Sequence, residues 1–193
     1  VFAGTIPNGK IFRVAADGRL SDFAKLDVKY IWALAYDAST RTLYAGTGPK
    51  GKIFKVDETG RSTVLADTKT EHVLAIELDA SGQIFAGTAR NGLLLKVTKN
   101  GKMTVVADIG GDEVRAIALL GGTIFAATNG TQRRGFAPPG LPIFGGSFMA
   151  QPGAVPPGGA VVGRAAMPVP ASFPRDPGNG TLYRIEAEGR VET

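Results

Sequence analysis

The sequence predicts an all-β protein: a partial β-propeller of about four blades, each of four antiparallel strands, with a long Pro/Gly-rich insertion in the last blade. Three observations predict it. First, VFAGT (1–5) returns as LYAGT (43–47), IFAGT (84–88) and IFAAT (124–128), in steps of 42, 41 and 40 residues. Second, each period of about 41 residues carries four short apolar segments, the plan of a propeller blade. Third, the apolar residues fall in short runs of period two, and no stretch holds the 3,4,7 spacing of an amphipathic helix. A β-sandwich would also supply short strands, but would not repeat the same words at a fixed interval.

The elements follow in order. Segment A is YIWALAYD (30–37), HVLAIELD (72–79) and EVRAIALL (113–120). It reads as the innermost strand and is expected to be covered on both faces, being apolar on both. Segment B is the recurring phrase. Segment C is GKIFRV (9–14), GKIFKV (51–56), GLLLKV (92–97) and GTLYRI (180–185). Its interleaved Lys10, Lys52, Lys55 and Lys96 suit a strand nearer the rim. Segment D is STVLAD (62–67) and TVVAD (104–108). Asn-Gly at 8–9, 91–92 and 179–180 supplies the positive φ that a tight hairpin needs. Asp37 and Asp79, each followed by Ala-Ser, read as turn formers at the end of segment A.

The units are expected at 1–29, 30–71, 72–112 and 113–193. The chain opens in a B segment without an initiator Met and closes where a D segment begins. An excerpt of a longer array is the first expectation. Self-association through open blade edges is the other, because an unpaired strand edge invites pairing.

The B aromatic lies 10 residues before its C partner in three units and 58 residues before it in the fourth, Phe125 to Tyr183. The 48 extra residues fall at about 131–178 and hold ten of the chain's twelve prolines. Proline at this density forbids helix and central strand. The stretch reads either as a flexible loop or as a docking arm, since it carries Phe136, Leu141, Phe144, Phe148 and Phe173, among others.

Composition excludes several chemistries. The 193 residues are 44% hydrophobic and 20% charged, with a formal charge of +5. With no Cys and one His, there is no disulfide, thiolate metal site, cysteine nucleophile or multi-histidine centre. No apolar run reaches the roughly 18 residues of a membrane-spanning helix. There is no nucleophile elbow, phosphate loop or zinc-protease motif, and no basic stripe with interleaved aromatics. No cofactor, metal site, catalytic residue or nucleic-acid partner is therefore expected.

Candidate binding residues come from aligning the repeats on Ala33, Ala75 and Ala116. Matched positions that differ are free of a scaffold role. Three before the alanine stand Tyr30, His72 and Glu113; one before it stand Trp32, Leu74 and Arg115; two after it stand Ala35, Glu77 and Ala118. The first set begins the inner strands, at the channel mouth where the B–C connections also emerge. Tyr30, Trp32, His72, Glu113 and Arg115, with Glu71 and Asp112 beside them, are expected to form a mixed aromatic and charged rim. Phe144 and Phe148 of the insertion are expected to join it.

The run LYAGTGPKGKIFKVDETGRSTVLAD resembles the repeat of bacterial β-propellers in the group of quinoprotein-like, NHL-like and lactonase-like proteins. The blade plan is WD40-like, but the Trp-Asp and Gly-His dipeptides of that family do not occur. The quinoprotein docking tryptophan is missing, Trp32 being the only Trp, and the lactonase-like Glu, Asn and Asp metal set is incomplete. Three functions are carried forward. The first is a non-catalytic binding or scaffolding propeller for a protein or small-molecule ligand. The second is a lactonase- or quinoprotein-like enzyme completed by other blades. The third is a spacer module of a longer surface or periplasmic protein. The resemblance leans towards a bacterial, extracytoplasmic setting.

Overall fold

The computed structural model describes residues 1–109, 113–129, 180–186 and 191–192, with strands and turns and no helix among them. They form four antiparallel sheets. The first contains β1 (Phe2–Gly4), β2 (Lys10–Val14) and β3 (Leu20–Lys25). The second contains β4 (Tyr30–Asp37), β5 (Thr42–Gly48), β6 (Lys52–Val56) and β7 (Ser62–Asp67). The third contains β8 (Val73–Leu78), β9 (Ile84–Thr88), β10 (Leu93–Val97) and β11 (Met103–Asp108). The fourth contains β12 (Glu113–Leu120), β13 (Thr123–Asn129), β14 (Gly180–Ile185) and β15 (Val191–Glu192). Within each sheet the strands pair in chain order, and β8 packs between β4 and β12. This is the blade arrangement of a partial β-propeller.

The core is a set of layers between sheets, built by strict alternation along the B strands. Leu43 and Ala45 join the layer with the first sheet, and Tyr44 joins the layer with the third. Ile84 and Ala86 face back to the second sheet, and Phe85 faces the fourth. A period of two thus feeds two cores from one strand. It also changes which strand is best covered. All seven residues of β5 are buried, whereas the inner β4 and β12 are only partly so. β5 and β9 are the strands with a sheet on both faces and a strand on both edges, and both are buried throughout.

Backbone glycines set the spacing of the layers. A Cβ on Gly46 would meet both Cγ1 and the carbonyl of Val73 at 2.9 Å, and one on Gly87 would meet Val114 at 2.7 Å. Gly4 stands likewise against Ile31, at 2.6 Å. The first three B strands therefore receive the second residue of the next inner segment on bare backbone. At the corresponding place β13 carries Ala127.

Bulges recur at fixed positions. The pairing runs Ile31↔Thr47 then Ala33↔Gly46, leaving Trp32 extra. It runs Val73↔Thr88 then Ala75↔Gly87, leaving Leu74, and Val114↔Thr128 then Ala116↔Ala127, leaving Arg115. A bulge re-aims the side chain it carries. The turns are held by side chains: Asp37, Asp57 and Asp79 each accept from the backbone and hydroxyl of Ser39, Thr59 and Ser81. These hydrogen bonds drive Asp57 down from the usual 3.8 to about 2, the Thr59 hydroxyl contributing most. Asp37 goes lower still, first through the Ser39 side chain and then Thr40.

Each B–C connection closes with a threonine clasp. The hydroxyls of Thr5, Thr47 and Thr88 donate to the carbonyls of Lys10, Lys52 and Leu93. Thr128 makes the same bond to Thr181, at 3.4 Å, and Asn129 pairs with Gly180. The stem beneath the 48-residue insertion is therefore closed like a short hairpin. The insertion itself lies outside the described residues.

Candidate functional site

The inner strands all start at one end, the end at which the B–C connections emerge, because A and B are antiparallel: Tyr30 pairs with Gly48 and Glu113 with Asn129. Here the structure brings Tyr30, Trp32 and His72 together. The ring of Tyr30 lies 5.2 Å from that of Trp32 and 5.9 Å from that of His72. Trp32 meets His72 edge to face, at 5.5 Å and 85°. The indole Nε1–H donates to His72 Nδ1 at 3.1 Å.

Local structure explains why the three meet. The bulge turns Trp32 out of the ladder. His72 is fixed by its carbonyl, which accepts from Ala89 N at 3.0 Å and from the Thr70 hydroxyl at 3.3 Å. The loop before it is fastened to the neighbouring B–C connection: Gly51 N donates to Glu71 O, and the Thr68 hydroxyl donates to Gly51 O at 2.6 Å. Gly48 supplies the room. A Cβ there would lie 1.9 Å from His72 Nδ1 and 2.9 Å from Trp32 Nε1.

The electrostatics follow from hydrogen-bond inventory. An indole nitrogen only donates, so Nδ1 of His72 is the acceptor and the neutral ring carries its proton on Nε2. Nε2 faces Glu71 Oε1 at 3.5 Å. The other oxygen of Glu71 is paired with the Arg90 guanidinium. Arg90 has φ +75°, a left-handed conformation uncommon for a side-chain-bearing residue. Lys29 Nζ stands over Tyr30, 5.2 Å from the ring centre.

Glu113 and Arg115 form a second, adjacent group. Arg115 Nε and Nη2 both donate to Glu113 Oε2 at 2.7 Å. Glu113 bridges to Ala89, whose amide serves His72, so the two groups share one piece of backbone. No ring contact or hydrogen bond joins Glu113 or Arg115 to the aromatic group among the described residues. Asp112, Phe144 and Phe148 lie outside those residues. Glu77 is half-buried on β8.

Gly48, Arg90 and Lys29 belong to the site and were missed in the sequence. The repeat did hold a signal for the first: the residue after the B-strand threonine is Ile6, Gly48 or Ala89, a matched position that varies. Among the described residues no three His, Cys, Asp or Glu side chains gather to hold a metal, and no helix is long and apolar enough to cross a membrane.

No family model and no curated protein matches this sequence. Solved structures match in part. A chain of the nidogen/laminin complex aligns with TM-score 0.56 and 20% identity, over 66% of this chain and 51% of that one. The calcium-binding protein regucalcin from Agrobacterium tumefaciens str. C58 aligns with TM-score 0.54 and 15% identity, over 67% and 48%. Virginiamycin B lyase from Staphylococcus aureus aligns with TM-score 0.53 and 17% identity, over 61% and 41%. The chain spans about half the length of these proteins or less. Two enzymes or ion binders and one binding complex share this scaffold, so what is common to them and to this chain is its fold, an all-β propeller of repeated four-stranded blades.

Proposed function

We propose that this chain is a non-catalytic binding or scaffolding propeller that takes its ligand or partner at the channel-mouth face, over Tyr30, Trp32 and His72. One observation carries the reading. The single histidine spends Nδ1 on Trp32 and turns Nε2 to Glu71. Neither nitrogen is presented as a general base or metal ligand. What the face offers is a held aromatic surface with Trp32 38% exposed, flanked by charged pairs that satisfy each other. Aromatic side chains with an apolar body and a polar handle suit contact surfaces. The repeat words support a propeller of the quinoprotein-like, NHL-like or lactonase-like group.

The test is a comparison of binding with metal dependence and turnover. Calcium is titrated by calorimetry and by melting temperature, and a panel of esters and lactones is assayed for hydrolysis. The expected result is no saturable calcium binding and no turnover that depends on His72. Calcium binding that raises the melting temperature and vanishes in Glu113→Ala would overturn the reading in favour of a metal-dependent propeller enzyme.

A further inference from the structure

We infer that the ligand class of this face is an uncharged polyhydroxylated one, a neutral oligosaccharide stacked on Trp32 and hydrogen-bonded by the flanking ion pairs; the inference deepens the binding reading and rests on it. Trp32 is a pre-set platform. Its bulge points it out, its N–H is tied to His72, and Gly48 leaves the tie unobstructed. A ligand that lands on it does not have to freeze the ring, which removes part of the ordering cost of binding.

An exposed indole face accepts a cation, an aromatic ring or the C–H face of a sugar. The surroundings separate these. Lys29 already occupies the cation position over Tyr30, and Arg90 and Arg115 flank the site. The described charges are three cations against Glu71 and Glu113, so an incoming cation meets like charge. An anion fares no better, because each guanidinium is already neutralised by its own carboxylate, and Glu71 and Glu113 repel a second negative charge. Hydroxyl groups need break nothing. Each guanidinium has five N–H donors and each carboxylate about four acceptor sites, and one ion pair leaves several of both unused. A hydroxyl both donates and accepts, so a ligand dense in hydroxyls matches an acid–base pair held at the edge of a ring. A bare aromatic ligand would stack but leave these groups uncontacted.

The experiment titrates the chain with cellobiose, maltose and N,N′-diacetylchitobiose, and in parallel with tetramethylammonium and benzoate. Trp32 is the only tryptophan, so its fluorescence reads this face alone. Saturation-transfer NMR supplies the same reading for variants that lack it. The expected result is a saturable response to at least one disaccharide and none to the two ions. Trp32→Ala should weaken that binding roughly tenfold and Trp32→Phe by roughly threefold or less, since Phe keeps a stacking face. A response confined to tetramethylammonium or benzoate overturns the carbohydrate class and leaves the binding reading standing. Silence from every disaccharide also overturns it, while the calcium and turnover measurements decide the binding reading separately.

Discussion

Trp32 and His72 stand 40 residues apart in the chain and on neighbouring blades, yet the indole N–H of one donates to Nδ1 of the other at 3.1 Å. The bond joins two inner strands at their open ends and fixes the histidine tautomer. It exists because residue 48 has no side chain. Gly48→Ala places a methyl 1.9 Å from His72 Nδ1. The φ of Gly48 is not in the left-handed region, so alanine fits the backbone and the effect is steric. The expected outcome is a broken Trp32–His72 bond, a red-shifted Trp32 emission, and a loss of about 1 kcal/mol in stability. Unchanged emission would show that the two rings yield without parting.

Blade spacing makes a second prediction. Gly46→Ala and Gly87→Ala put a methyl against the carbonyls of Val73 and Val114, at 2.9 and 2.8 Å. Backbone cannot swing aside as a flexible side chain does. Each variant should lose about 1–3 kcal/mol by overpacking. Ala127→Gly should do little, since β13 already carries the methyl at that place. Chemical denaturation of the three variants checks this, and equal small effects would refute the close approach.

A third concerns Asp37 and Lys99. Asp37 is 8% exposed, and among the described residues its Oδ2 has no hydrogen-bond partner, only Lys99 Nζ at 3.6 Å from the third sheet. Removing that cation leaves Oδ2 of a buried carboxylate without a charge partner, while Oδ1 keeps its bonds from Ser39 and Thr40. Lys99→Met should therefore lower the melting temperature clearly more than Lys10→Met, which breaks the exposed pair with Asp22. Equal drops would mean that Lys99 contributes no more than a surface charge.

Acid should unfold this chain through its turns. Folding lowers the pKa of Asp57 from 3.8 to about 2, and lowers Asp37 further. Asp79 is lowered as well: burial pulls it upward, but the Ser81 side chain and the backbone amides outweigh that. A carboxylate with a depressed folded pKa contributes stability that is full above its unfolded value, near 3.8, and drains as the pH falls towards the folded value. Melting temperature should fall from pH 4 to pH 2. Asp57→Asn should start lower at pH 5 and fall less steeply. Parallel curves for the two proteins would exclude Asp57 as a source of the slope.

The fold was legible because it is written repeatedly. The words LYAGT and GKIFKV, spaced by a constant period, name two adjacent strands in every blade, and the sheet order A-B-C-D follows from hairpin turns. Tyr30, Trp32 and His72 were legible too, as unlike residues at like positions. Their contacts were not. Gly48 looks like an ordinary turn glycine beside Pro49, and its purpose lies in two side chains distant in sequence, Trp32 on β4 and His72 just before β8. Arg90 sits in a connection that differs from blade to blade, so no alignment of repeats pairs it with Glu71. The burial of β5 over β4 was hidden for another reason: apolar composition records that a strand is covered, not on how many sides.

The last prediction concerns the stem under the insertion. In the other three blades the clasp threonine and the turn glycine, Thr47 and Gly51 or Thr88 and Gly92, are separated by three residues. In the fourth, Thr128 takes the same role, its clasp bond reaching Thr181, and Asn129 pairs with Gly180. The register β13–β14 is thus set by its own side chains, Ile124 against Ile185 and Ala126 against Tyr183, both pairs in the buried layer with the third sheet. It does not depend on what joins the strands. Replacing 130–179 by Arg-Asn, the turn of the third blade, should leave the far-ultraviolet spectrum of the sheets intact. Shortening the connection also lowers the cost of closing it, by roughly 2–3 kcal/mol on the logarithmic dependence of loop entropy. The melting temperature of the shortened chain should therefore rise. A fall, or loss of cooperative unfolding, would mean that residues 130–179 contribute to the stability of the blades beyond connecting them.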